Sequence, residues 1–267
     1  MRVTVITPNR DGARFLDGCV RSVLEQRGPD VDLEYLVFDA GSRDGSRAIL
    51  QQHAAGIAQI VCEPDRGPAD AINKGLARAT GEAIGWLNAD DLYCPGALAR
   101  VAAAFAARPE AALCFGRCPI VDAGGREIRR GITRFKSFWF PFSCRFLIQV
   151  LNYVSQPALF FRRDAALSAG PLRTDLAAAW DYEFLLRLWR QGPAIVLPPP
   201  PLARFRWTPE SISGRSYRAQ FAEEYRAAAA DAGAFSPQAL LHAAVRWGIV
   251  TAYDRMARRR AGPAATP

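Results

Sequence analysis

The stretch GEAIGWLNADDLYCPGAL, Gly81 to Leu98, governs how the rest of the chain is read. Ala83 to Leu87 is a short apolar run with the length and character of a strand buried on both faces. It ends abruptly in Asn88-Ala89-Asp90-Asp91, after which Pro95 and Gly96 break the chain and a helical pattern follows through Val101 and Phe105. Adjacent carboxylates at the carboxyl end of a buried strand lie where open α/β sheets place their ligands. They repel each other, so the arrangement is favourable only with a cation or a set of donors beside it. A divalent ion such as Mg²⁺ or Mn²⁺, bound through oxygen and shared with substrate phosphates, meets that need. The plainer alternative is an Asp-rich turn in which one carboxylate caps the next helix.

On the N-terminal side the same rhythm repeats. Arg2 to Thr7 reads as a first strand, and TPNRDGARF as a turn before Phe15, Cys19, Val20, Val23 and Leu24 recur at helical spacing. A second strand, Leu33 to Phe38, runs into Asp39-Ala-Gly-Ser-Arg-Asp44-Gly-Ser46, followed by a helix from Arg47 to His53 and a third strand, Ile57 to Cys62. The loop EPDRGPADAINKG leads into a helix ending at Ala79. Strands alternating with helices at this pace predict a mainly parallel sheet with right-handed crossovers, its loops converging on one crevice. Asp39 stands where such a half presents an acid to a nucleoside, and equally where a simple Asx turn caps a helix. Arg66, Asp70, Asn73 and Lys74 bring charge and hydrogen-bonding groups to the same rim, or form a solvated helix face.

Beyond Phe105 the pattern changes. Ala111 to Gly116 reads as an edge strand, Ile120 to Ile128 as a hairpin around Ala123-Gly124-Gly125, and Ser155 to Phe161 as strand-like. RFKSFWFPFSCRFLIQV, from Arg134 to Val150, is the most aromatic stretch and suits a packed lid, an acceptor pocket or a membrane-facing patch. Trp180-Asp181-Tyr182-Glu183 opens a helix, and acids in a first turn ordinarily serve the helix dipole. Tyr217 to Ala230 and Ser236 to Arg260 read as helices rich in alanine and arginine. The basic end, with Trp247, Tyr253 and Arg258 to Arg260, can rest on an anionic bilayer, on the core or on a second copy in a homodimer.

Composition narrows the classes. The chain has 267 residues, half of them apolar, and a net charge of +8 carried almost wholly by arginine, with Lys74 and Lys136 its only lysines. Apart from Arg258 to Arg260 there is no basic tract, which argues against a nucleic-acid binder. No apolar run reaches the roughly 18 residues of a membrane-spanning helix, and no signal-like segment opens the chain, so a cytoplasmic location is expected. Six scattered cysteines without a CxxC pair, beside only His53 and His242, make a zinc site unfavourable. They are expected to be buried thiols, and both histidines to lie on the surface or a helix face.

Taken in order, TPNRDGARFLDGCVRSVLEQ, FDAGSRDGS, EPDRGPADAINKG, WLNADDLYCPGAL, QPALFF and WDYEFLLRL resemble the family 2 glycosyltransferases of the GT-A fold. The resemblance runs to about Trp207. It implies an α/β, Rossmann-like, mainly parallel sheet flanked by helices over residues 1–215, with a C-terminal helical extension over 216–267. Within the first unit, 1–107 would bind the nucleotide sugar and 108–215 the acceptor. Thr7, Pro8 and Asn9 would line the nucleotide cleft, Asp39 would contact the nucleoside, usually uridine, and Asp44, Arg66, Asp70 and Lys74 would flank it. Asn88 would bond ribose, Asp90 would bind Mg²⁺ or Mn²⁺, and Asp91 would touch metal or donor sugar. Asp181 matches the general base of an inverting hexosyl transfer. Thr208 stands where the family often has a histidine, and Arg206 or Arg215 would compensate at the diphosphate.

The implied partners are a nucleoside-diphosphate sugar and a glycan or lipid-linked acceptor in cell-surface polysaccharide or glycolipid assembly, with peripheral contact at the inner face of the plasma membrane. Two other classes compete. A nucleotidyltransferase needs a glycine-rich basic loop after the first strand, where TPNRDGARF has one glycine, and a dinucleotide oxidoreductase needs the absent GxGxxG. A non-catalytic nucleotide-sugar-binding module is the third alternative.

Overall fold

The computed structural model describes residues 1–209, 211 and 217–261, with side chains as far as Thr251. Seven elements alternate at the start: β1 (Arg2–Asn9), α1 (Ala13–Leu24), β2 (Asp32–Asp39), α2 (Ser46–Gln52), β3 (Gln59–Cys62), α3 (Pro68–Arg78) and β4 (Ala83–Trp86). Next come β5 (Leu92–Tyr93), α4 (Ala97–Ala107), β6 (Leu113–Phe115), the pair β7 (Ile120–Val121) and β8 (Glu127–Ile128), α5 (Arg130–Phe138) and α6 (Arg145–Val150). The chain then forms β9 (Leu159–Arg162), α7 (Arg163–Ala169), α8 (Trp180–Leu188), β10 (Ala194–Val196), β11 (Ala203–Arg206), α9 (Tyr217–Ala232) and α10 (Pro237–Ala261).

The main sheet has seven strands in the order β10-β6-β9-β4-β1-β2-β3. β4, β1, β2 and β3 are mutually parallel, whereas β9 runs antiparallel to both β4 and β6. Strand periodicity divides the core between the two faces. Val3 and Val5 of β1 pack into one cluster with Leu16, Val20, Val101 and Phe105, while Ile6 faces a second with Ile72, Trp86, Phe161 and Phe184. The β4 run is buried at every position, as its uninterrupted apolar character predicts. Gly85 is needed there, because a Cβ would come within 2.6 Å of the Phe160 ring lying across it.

The edge position expected for Ala111 to Gly116 is corrected: β6 lies inside the sheet, between β10 and β9. The expected hairpin is present as β7 and β8, and β11 pairs with both β7 and β5 in a second, four-stranded sheet. Cys19, Cys94, Cys114 and Cys118 are buried, but Cys62 and Cys144 are exposed. Among the described residues no helix is long and apolar enough to cross a membrane.

The two last helices are fastened to the sheet's flank by polar contacts. Asp231 of α9 accepts hydrogen bonds from Arg145 at 2.9 Å and Gln149 at 2.6 Å, both on α6. His242 lies on a face of α10, the second of the two positions expected for it, and that face is buried, its Nδ1 2.9 Å from the Gln149 carbonyl. His53 is half-buried and pairs with Asp17 at 2.8 Å.

Candidate active site

The turn after β4 is where the site begins. Leu87 N–H still donates to the Ile6 carbonyl, then the chain folds so that Asp91 N–H donates to Asn88 O at 3.0 Å. The turn separates the two acids. Asp90 opens onto a cavity of about 850 Å³, whereas Asp91 is fully buried in its wall and accepts the Arg206 N–H at 2.8 Å. Burial pushes Asp91 well up, and the Asp90 charge adds to this. Burial raises Asp90 as well, against an opposing pull from Arg206.

Across the same cavity, Asp181 sits in the first turn of α8 and accepts the Tyr182 N–H at 2.8 Å. Burial lifts its pKa to about 6, offset in part by that bond and by Lys136. Lys136 of α5 lines the cavity too, donating to Val154 O at 3.3 Å and Ser155 Oγ at 3.2 Å. Burial pushes its ammonium down, and Glu224 and Asp181 resist. Glu224 of α9 also lines the cavity, its carboxyl raised by burial to about 7.

The loop before α8 is held from below. Glu223 accepts N–H bonds from Ala177 at 3.0 Å, Ala178 at 2.8 Å and Ala179 at 3.0 Å. Backbone tension also gathers here, since Asp11 and Arg129 both hold φ 50 and both line the cavity. Arg129 lies over the Trp207 ring at 3.7 Å.

Of the residues named from sequence, Pro8, Asn9, Asn88, Asp90, Asp181 and Thr208 line the cavity. Thr7 does not: it points into the core, where its hydroxyl accepts from Tyr35 at 3.0 Å. Asp39 is buried beneath the rim, accepting from Asn9 at 2.6 Å and from the Gly41 and Ser42 N–H groups. Burial alone would raise its pKa, but these bonds outweigh it and hold the carboxyl below its usual range. Asp44 follows the capping alternative, accepting Ala13 N–H of α1 at 2.8 Å and Ser46 N–H at 3.1 Å. Arg66 and Asp70 pair at 3.0 Å, and Lys74 reaches Glu63 at 3.1 Å, all outside the cavity lining.

Arg206 is likewise a strut in the wall. Its guanidinium donates to the carbonyls of Asp90 (2.8 Å), Asp122 (3.0 Å) and Ala123 (2.7 Å) and stacks on Phe15. Arg215 lies outside the described residues. Sequence reasoning missed Asp65, Lys136, Asn152, Gln156 and Glu224 in the lining. Gln156 fixes the tip of β4, donating to Trp86 O at 2.8 Å and lying 3.2 Å from Asn88 Nδ2.

The donor set fits a divalent ion in one way. Among the described residues no three metal-binding side chains cluster, and Asp90 has no cationic side chain within ion-pair distance. One carboxylate at the β4 turn suits an ion whose other ligands are water and substrate phosphate, rather than a cage made by the protein.

A mainly parallel sheet with a cavity lined by both Asp90 and Asp181 has the α/β architecture of a nucleotide-binding transferase. The family model for glycosyl transferase family 2 matches residues 4–168, and the chain belongs to that family of glycosyltransferases. It is 32% identical over 191 residues to the O-antigen biosynthesis protein RfbC of Myxococcus xanthus, covering 70% of this chain and 14% of that protein. In structure it resembles S. aureus TarS 1–349 in complex with UDP-GlcNAc, with a TM-score of 0.68 at 17% identity over 90% of this chain and 69% of that one. It also resembles the mannosyltransferase PcManGT of Pyrobaculum calidifontis in complex with GDP-Man and Mn²⁺, with a TM-score of 0.63 at 23% identity over 94% and 75% of the two chains. The shared architecture is the GT-A fold.

Proposed function

We propose that this chain moves a hexosyl group from a nucleoside-diphosphate sugar, with UDP as the nucleotide, to an acceptor hydroxyl, inverting the anomeric centre. The observation that carries this reading is that Asp90 and Asp181, 91 residues apart in sequence, open onto one cavity. Transfer meets two obstacles: the leaving diphosphate gathers negative charge, and a hydroxyl is a poor nucleophile. Asp90 is the residue to hold Mg²⁺ or Mn²⁺, which when bound supplies positive charge to the diphosphate. Asp181 receives the acceptor proton as the new bond forms. Its pKa of about 6 leaves it ionised at neutral pH yet more basic than an ordinary aspartate, which suits a general base. A single displacement with this base behind the nucleophile gives inversion.

Pro8, Asn9 and Asn88 face the donor, and Asp39 shapes the loop at the nucleoside end through Asn9 and Ser42. Thr208 in place of a histidine offers a hydroxyl, a weaker metal ligand than imidazole. The setting we assign is cell-surface polysaccharide or glycolipid assembly at the inner face of the plasma membrane, in keeping with the name of the M. xanthus relative. Residues 1–215 form the catalytic unit in this reading, and the helices after it complete the acceptor side.

The test is a donor panel of UDP- and GDP-sugars with Mn²⁺ and mixed glycan and glycolipid acceptors. Release of nucleoside diphosphate supports sugar transfer. Release of pyrophosphate would indicate a nucleotidyltransferase, and nucleotide binding without turnover a binding module.

A further inference from the structure

The cavity continues past Asp181 into a compartment walled by α5, α9 and α10, the last two beyond the residues that the family match covers. Its polar groups are incompletely paired, the buried Arg246 Nε of α10 among them. Asn152 Nδ2, at 3.2 Å, and Gln220 Nε2, at 3.1 Å, both donate to one oxygen of Glu224, Oε1. Among the described residues no donor reaches Glu224 Oε2, and the buried Asn152 Oδ1 has no hydrogen-bond partner. Together with Asp181 these atoms offer acceptors, and Arg246 Nε a donor, which a group carrying several hydroxyls would satisfy in both directions.

The remaining walls are apolar. Ile132, Phe135, Val150, Val245 and Ile249 line them. Phe135 is 49% exposed, and the apolar surface passes outward through Trp139 to Phe138, 62% exposed, and Phe142, 60% exposed. A purely polar acceptor would leave this continuous apolar path in water, whereas a hydrocarbon chain would cover it.

We infer that this compartment is the acceptor subsite and that it takes an amphiphile: a sugar head held by Asn152, Glu224 and Asp181, and an alkyl chain lying along Phe135 and Ile249 toward Phe138. The inference rests on the glycosyl-transfer reading above. It assigns the C-terminal helices to acceptor choice, with Glu224 as a head-group contact and Phe135 as a chain contact.

Calorimetric titration of the full chain with methyl, butyl and octyl glycosides of glucose, galactose and N-acetylglucosamine tests it, each below its critical micelle concentration and with and without UDP plus Mn²⁺. For at least one sugar, affinity should rise stepwise with chain length, the octyl glycoside binding at least tenfold more tightly than the methyl glycoside. Phe135→Ser should shrink that gap to less than threefold. Glu224→Gln should weaken butyl and octyl glycosides alike while leaving UDP affinity unchanged. Equal affinity across the chain-length series in the wild type would overturn the proposal, as would the absence of any glycoside binding. If UDP and other nucleotides fail to bind while the chain-length series behaves as expected, the donor reading fails and the amphiphile site stands.

Discussion

Replacing Asp181 with asparagine keeps the side-chain shape and an acceptor for the Tyr182 N–H at 2.8 Å, but removes the charge. Burial lifts this carboxyl from its ordinary 3.8 to about 6. That gap, at about 1.4 kcal/mol per pH unit, makes the ionised form cost the fold about 3 kcal/mol. Below pH 3.8 both folded and unfolded chains carry the proton, and the cost is absent. Between 3.8 and about 6 the unfolded chain loses its proton first, so the native state binds more protons and wild-type stability falls as pH rises. Above that window the deficit is constant, and roughly half of it is already present at about pH 5. Losing the attraction to Lys136 takes back part of the gain, so Asp181→Asn should be about 1–3 kcal/mol more stable than wild type at pH 8. Urea unfolding of both proteins at pH 5 and pH 8 measures it, with the difference expected to widen at the higher pH. The same preparation should bind nucleotide and fail to transfer sugar. Equal stability at both pH values, or a variant weaker at pH 8, would refute a carboxyl whose ionised form is disfavoured by burial. Unimpaired turnover would remove Asp181 from the mechanism.

Three more outcomes follow from the same geometry. Wild-type kcat should rise with pH through about 6 and then level off, because a base works only when ionised; a flat profile from pH 5 to 8 would contradict this. Glu223→Ala leaves three N–H groups before α8 unpaired, so stability should fall by about 2–3 kcal/mol and kcat at least tenfold, with nucleotide affinity unchanged. Equal losses in kcat and nucleotide affinity would mean general damage instead. Asp44→Ala removes the acceptor at the start of α1 and should cost about 1 kcal/mol in urea unfolding; a twofold or greater loss of nucleotide affinity would give Asp44 a direct binding role after all.

The first half of the fold was legible because most of its pairings are local: β1, β2 and β3 are neighbours joined through single helices, and β4 adds to the free side of β1. The position of β6 was not, because the strands enclosing it, β9 and β10, arrive from residues 159–162 and 194–196. At the site, Asp90 and Asp181 could be named from their neighbours, but not which of two adjacent acids faces the cavity. A tight turn decides that, and it sends Asp91 inward to the Arg206 N–H. Thr7 was misplaced for a similar reason: strand alternation turns it to the core while Pro8 faces out. Glu224 and His242 sit on helices whose alanine-rich pattern marks no one face for burial. Only docking on α6 and α8 makes them buried, and no local signal announces that docking.

The claim on which the account depends is that the acid at the β4 turn holds a cation for a nucleotide. Titrating UDP and GDP into the wild type and Asp90→Asn by calorimetry, each with and without Mn²⁺, addresses it directly. The wild type should bind one of the two at least tenfold more tightly with Mn²⁺ than without, and the variant should fold normally but lose that enhancement. An Asp90→Asn protein that retains the full Mn²⁺ effect, or a wild type that binds neither nucleotide, would contradict it.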